Sequence, residues 1–105
     1  MISIQLDKKT TDIVQDLVCQ ALYGHGTRYW ARIELNHDTT IYRITDLTGE
    51  AHEVAALSDD ALSAALARLV VEAPFQVARL FDGRWDETTG DALLQCLVYG
   101  KLVWG

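Results

Sequence analysis

Eight consecutive residues, Tyr23-Gly24-His25-Gly26-Thr27-Arg28-Tyr29-Trp30, bring together aromatic rings, glycines, an imidazole and a guanidinium. Those types could recognise a planar, anionic ligand. A ring stacks on it, arginine meets phosphate or carboxylate, and glycine lets it approach the backbone. A phosphate-cradling loop is a different arrangement. It precedes a helix, where free N–H groups and the dipole attract anions. Gly24, His25 and Gly26 follow a helical pattern, at the carbonyl end, where the dipole repels them. Two readings stay open: a helix-to-strand turn needing positive φ twice, or a binding loop.

His25 has no serine or cysteine nucleophile at a motif spacing. His37 falls in a turn and His52 near a strand, so no zinc-type spacing appears, and no metal or cofactor is expected. Trp30 alternates onto the face carrying Arg28, Arg32 and Glu34. It is either a stacking platform, with Arg28 or Arg32 beside it, or a tryptophan half-buried under a helix. Asp91, Gln95 and Tyr99 stand at i, i+4 and i+8, on one side of the last helical pattern. They mark that helix's boundary with water or line a pocket with donors and acceptors. Asp86 and Glu87 lie just before them. Paired carboxylates serve acid–base chemistry only where a cleft shifts one pKa.

The elements that must position these residues follow from periodicity. Ile2, Ile4 and Leu6 alternate as a short strand. From Asp12 onward Ile13, Val14, Leu17, Val18, Ala21 and Leu22 form a helical stripe, which Gly24 ends. Tyr29, Ala31, Ile33 and Leu35 alternate as the buried face of a strand. Residues 36–40 are turn chemistry, so Ile41–Leu47 completes a hairpin. Ala51–Val54 adds a short strand. Ser58 caps a helix with stripe Leu62, Ala65, Leu66, Leu69 and Val70. Pro74 opens a short helix ending at Asp82-Gly83. Thr88 or Thr89 caps a last helix through Tyr99, placing Asp91 in its first turn. Leu102-Val103-Trp104 is an edge strand or a docked tail. The expected fold is α+β: residues 1–105 form one compact domain, a small antiparallel sheet of two to four strands with helices packed on one face.

A formal net charge of -6 argues against nonspecific nucleic-acid binding and leaves DNA mimicry open. The N-terminus lacks a basic region followed by an apolar run, and no apolar stretch is long enough to span a membrane, so a cytoplasmic protein is expected. Cys19 and Cys96 fall on apolar stripes, as buried thiols. The apolar, aromatic C-terminus suggests a homo-oligomer, a dimer, that covers it.

Taken together, Gly24-His25-Gly26-Thr27-Arg28-Tyr29-Trp30-Ala31 resembles the GGINYWA stretch of a group of small bacteriophage and prophage proteins. Asp86, Asp91, Gln95, Tyr99-Gly100 and Trp104-Gly105 resemble their C-terminal segment, D-x4-D-x3-Q-x3-(F/Y)G-x3-(Y/W)G. Here His25 interrupts the double glycine and Arg28 takes the asparagine place. The resemblance implies an accessory phage product acting in the host cell, often in counter-defence, and brings no transferable activity.

The favoured reading is a non-enzymatic binder that sequesters a nucleotide-derived or similar polar-aromatic ligand. Its pocket would combine the Gly24–Trp30 loop with the Asp86–Tyr99 segment. Aromatics would stack on a base, Arg28 would meet phosphate, and Asp91 or Gln95 would bond ribose hydroxyls. The alternative is an acidic inhibitor of a host nuclease or other defence protein. A small hydrolase or transferase requires Asp86, Asp91 and His25 to meet in space.

Overall fold

The computed structural model describes residues 7–55 and 57–105; the strand expected over Ile2–Leu6 lies outside them. The elements run α1 (Lys8–Leu22), β1 (Ala31–Asn36), β2 (Ile41–Asp46), β3 (Ala51–Val54), α2 (Asp59–Glu72), α3 (Pro74–Phe81) and α4 (Glu87–Tyr99). This is the α+β class, with a three-stranded antiparallel sheet in the order β1-β2-β3.

The middle of α4 is the hub of the core. Every residue from Thr89 to Cys96 is buried, so this helix has no water-facing side there. Val14, Leu17, Val18, Ala21 and Leu22 of α1 join the same core, as do Leu62, Ala65, Leu66 and Leu69 of α2. Gly90 sets the closeness of the α1–α4 crossing. A Cβ there would come within 2.8 Å of the Leu17 carbonyl oxygen, so only glycine lets the backbones meet. Val70, expected in the α2 stripe, is exposed at its edge. α1 also starts a turn before its stripe, because Asp7 caps it by accepting from the Thr10 N–H at 2.7 Å. The added turn carries Lys8, Lys9, Thr10 and Thr11, which no apolar periodicity could reveal.

In the sheet, Ile33 lies opposite Ile44, and Ile44 opposite His52. One face therefore carries Ala31, Ile33, Leu35, Tyr42, Ile44, Asp46, His52 and Val54. Ile44, Asp46 and Val54 are buried on it. The other face carries Arg32, Glu34, Arg43 and Glu53, all exposed. Glu34 faces Arg43 and Arg43 faces Glu53, so the solvated side is a ladder of alternating charge.

Three element ends differ from expectation. β1 begins at Ala31 because the Trp30 and Ala31 N–H groups both donate to the Thr27 carbonyl, closing a turn. The turn reverses the parity read through it. Trp30 is fully buried, and Tyr29, expected inward, is 49% exposed. The cap of α4 is Asp86, not Thr88 or Thr89. Its carboxylate accepts from both threonine N–H groups, and the Thr89 hydroxyl oxygen accepts from the Asp86 N–H. Asp91 thus lies in the second turn, 5% exposed. Residues 102–105 form no strand; they dock on the chain's own surface. Docking removes the unpaired strand edge that motivated a dimer through this tail and leaves Val103 exposed.

Candidate functional site

The loop after α1 is shaped by its own backbone. Gly24 N–H donates to the Ala21 carbonyl at 2.9 Å, and His25 N–H to the Gln20 carbonyl at 3.1 Å. That pair of bonds, with Gly24 at φ 91°, closes a left-handed helix end. The buried Thr27 hydroxyl then donates back to Ala21 at 3.0 Å. Gly26, at φ 82°, lies against the start of α4, where a Cβ would fall 2.9 Å from the Glu87 carbonyl oxygen. The loop is thereby pressed onto α4, which delivers Tyr29 and Trp30 to Asp91.

Asp91 receives both. The Trp30 indole N–H donates to Oδ1 at 2.6 Å, and the Tyr29 hydroxyl donates to Oδ2 at 2.6 Å. Gln95 Nε2 donates to the same Oδ2 at 3.0 Å and to the Trp104 carbonyl at 3.2 Å. Gln95 Oε1 accepts from the Val103 and Trp104 N–H groups, each at 2.9 Å. The docked Trp104 ring stacks on Trp30, with centroids 6.3 Å apart and planes 13° from parallel. Its indole N–H donates to the Tyr99 hydroxyl at 3.3 Å. Tyr99 in turn donates to Asp46 Oδ2 at 2.7 Å, which also lies 3.1 Å from His52 Nε2. One continuous polar seam ties the loop, α4, the C-terminal tail and the β2–β3 hairpin.

The electrostatics follow from this wiring. Burial, then the bond to Asp91, pushes the Tyr29 phenol well above its ordinary range. Burial also raises Tyr99. The Thr48 hydroxyl, then Tyr99, holds the Asp46 carboxyl well below the usual carboxylate range. The Tyr29 and Tyr99 phenols remain donors and the Asp46 carboxylate an acceptor. Burial pushes the Cys96 thiol up to about 11 and raises Cys19 as well, so neither is poised as a thiolate. Among the described residues no buried side-chain nitrogen or oxygen lacks a partner. The seam is a lock whose hydrogen-bonding capacity the chain itself has used.

The residues singled out from the sequence therefore divide. Tyr29, Trp30, Asp91, Gln95 and Tyr99 meet in the lock. Trp30 is fully buried beneath Trp104, so it is no platform for a ligand. Asp91 and Gln95 neither mark a boundary with water nor line an open pocket. Gly24, His25, Gly26 and Arg28 lie outside the lock. With the exposed Tyr29 ring and Glu87 they line an open cleft of about 420 Å³. Asp86 is elsewhere again, accepting from Arg79 Nη2 at 2.7 Å, which holds its carboxyl below the usual range. Among the described residues no hydrogen bond or ion pair joins any two of Asp86, Asp91 and His25, as a hydrolase or transferase reading requires.

Sequence reasoning missed Asp46, His52 and Thr27; of the two readings open for Leu102-Val103-Trp104, the docked tail is the one found. Asp46 had one local signal: Asp46-Leu47-Thr48-Gly49 spells a turn in which the aspartate takes the amide two residues on, at 2.9 Å. Asp46, Glu50 and His52 place ligand-type atoms within 4.8 Å of one another. Asp46 already accepts from Thr48, Glu50, His52 and Tyr99, so a cation there would have to compete with all of them. No family model matches this chain, and neither the curated proteins nor the solved structures contain a match to it.

Proposed function

We propose that this protein is a non-enzymatic binding protein whose working contact is a partner protein docked on the outward face of α3. The observation that carries this is the exposure of Phe75 and Phe81, at 63% and 62%. Gln76 and Leu80 are the buried positions of α3. At 100° per residue, Phe75, Ala78 and Phe81 span the opposite face. A helix that is apolar on both sides is built to be covered on both. The face is held firmly. Arg79 Nε donates to the Arg84 carbonyl at 3.2 Å while its Nη2 meets Asp86, pinning the loop after α3. That loop carries the partly exposed Trp85, whose ring lies beside Gly83. Around these aromatics Asp82 and Asp86 are balanced by Arg84 and by Arg79, which pairs with Asp86, so the acidic character is that of the whole chain, with a net charge of -6. That combination suits a partner with a basic rim and an apolar centre. In the phage setting that the resemblance implies, the partner is a host defence protein, such as a nuclease, that this chain blocks.

A second reading keeps small-ligand sequestration and moves it out of the lock. The cleft beside Gly24, His25, Gly26, Arg28 and Tyr29 offers a guanidinium and an aromatic edge to a nucleotide-like ligand. Two variants separate the readings. Wild-type protein, Phe75→Ser/Phe81→Ser and Arg28→Ala are each purified from bacterial cells, and any captured protein is re-bound from pure components. The docking reading expects a partner retained by wild type and Arg28→Ala and lost from the double variant. A co-purified small molecule seen by native mass spectrometry and lost only in Arg28→Ala would transfer the function to the cleft.

A further inference from the structure

Among the described residues no strand pairs with the outer edge of β1, the end strand of the sheet; of its outward groups only the Ala31 N–H is taken, by the Thr27 carbonyl. We propose that this edge pairs with β1 of a second copy, antiparallel and centred on Ile33, joining two sheets into one. The proposal is separate from the α3 contact. It starts from which backbone groups point outward. Asp46 N–H donates to the Glu50 carbonyl, so residue 46, and with it 44 and 42, aims at β3. Residues 45, 43 and 41 then aim at β1 and meet Arg32, Glu34 and Asn36. The backbone groups left pointing away from the sheet belong to Ala31, Ile33 and Leu35.

Centring the pair on Ile33 uses them. Ile33 exchanges both N–H and C=O with Ile33 of the second copy. Leu35 N–H reaches the second copy's Ala31 carbonyl. The Ala31 N–H, already given to Thr27, needs no partner. The side chains agree with this register on both faces. On the apolar face Ile33 meets its own copy, and small Ala31 meets large Leu35. On the solvated face Arg32 stands opposite Glu34 of the second copy, and Glu34 opposite its Arg32, at the closely spaced positions of an antiparallel pair. In the free chain Arg32 and Glu34 satisfy only each other, at 3.3 Å and largely exposed. Centring on Glu34 would instead set two carboxylates face to face.

Two further features favour a strand as the occupant. β1 pairs continuously with β2, without bulge, and contains no proline or lysine; its two charges, Arg32 and Glu34, are opposite in sign and so match a second copy of the same strand where they would repel a strand of one charge. Beside it lies an open groove of about 500 Å³ whose apolar lining includes Leu22, Tyr23, Ile33, Leu35 and Tyr42. The copy's Leu35 would extend that apolar surface.

Charge reversal tests the register. Arg32→Glu sets two carboxylates face to face across the pair, the new one against Glu34 of the second copy; within its own chain position 32 lies opposite Thr45 and beside the exposed Glu34, a repulsion that the thermal melt reads separately. Glu34→Lys sets an ammonium against the guanidinium of the second copy's Arg32, and also opposite Arg43 of its own sheet, so its weakening counts only beside the heterodimer formed with Arg32→Glu. Each variant alone should dimerise about tenfold or more weakly than wild type by analytical ultracentrifugation. Mixed together they should form a heterodimer, resolved by native mass spectrometry, because both cross-pairs become opposite in charge. Thermal melts confirm that each variant is folded. A monomeric wild type, or a dimer indifferent to Arg32→Glu with no heterodimer preference, overturns the proposal. A wild type that is monomeric but dimerises once residues 1–6 are removed also overturns it, assigning the edge to the chain's own N-terminal segment.

Discussion

Two groups of aromatic side chains in this molecule have opposite fates. Around Asp91, Trp30 and Trp104 stack and Tyr29 and Tyr99 spend their hydroxyls on carboxylates of the same chain. On α3, Phe75 and Phe81 touch water. The first group has the more ligand-like composition, with rings, a carboxylate and an amide. It is nevertheless the fold's own fastening. The second group shows only two phenylalanines at a six-residue spacing, and it is the one that folding leaves uncovered. Polar side chains beside aromatics invite a binding-site reading, but a site needs donors or acceptors that folding has not already used.

The contrast can be broken, and the largest effect should come from Trp30. Trp30→Ala removes a buried ring and the surface on which Trp104 docks, so it should cost about 3–5 kcal/mol of stability in denaturant unfolding. A loss under about 1 kcal/mol would mean the indole is not core. Next is Asp91. Asp91→Ala strands the indole N–H, removes the acceptor of the Tyr29 hydroxyl and takes one acceptor from Gln95 Nε2, which keeps the Trp104 carbonyl, a loss of about 2–4 kcal/mol. Asp91→Asn keeps an acceptor for one of them and should cost less, about 1–2 kcal/mol. Equal and negligible effects from both substitutions would show that Asp91 faces water.

A smaller, pH-dependent effect should report the hairpin end of the seam. The Asp46 carboxyl is held below its ordinary value in the folded chain by Thr48 and Tyr99. Its contribution is therefore complete above about pH 4, the unfolded value, and is lost as pH falls below that. Asp46→Asn should lower the unfolding midpoint at neutral pH and flatten its acid dependence. An acid slope unchanged from wild type would sever Asp46 from the seam. The smallest effect belongs to the other group. Phe75→Ser/Phe81→Ser should leave stability within about 0.5 kcal/mol of wild type. A large loss there would return those rings to the core and remove the docking face.

Much of the scaffold was legible because its causes are local. Ser58, Pro74 and Gly24 mark helix ends, and their reasons lie within a few residues of each. The alternation over Ala31–Leu35 gave the correct strand faces, since pleating has a fixed period of two. Parity failed at Trp30, which lies within the turn held by the Thr27 carbonyl. At the start of α4, Thr88 and Thr89 look like caps because hydroxyls suit caps. Asp86 suits one as well, and only the Arg79 contact and the reciprocal bond with Thr89 single it out.

The class of fold, the hairpin and the arrangement of Asp91, Gln95 and Tyr99 along one side of a helix are all legible in the order of residues. Each of these follows from backbone period and local capping. What that side of the helix meets is set by contacts between residues far apart in the chain. The Trp30 indole that fills Asp91 Oδ1 comes from 61 residues away, and the amides that fill Gln95 Oε1 come from the folded-back tail. Whether a polar atom on a helix ends against water, a ligand or its own chain depends on such long-range closures, and periodicity carries no record of them.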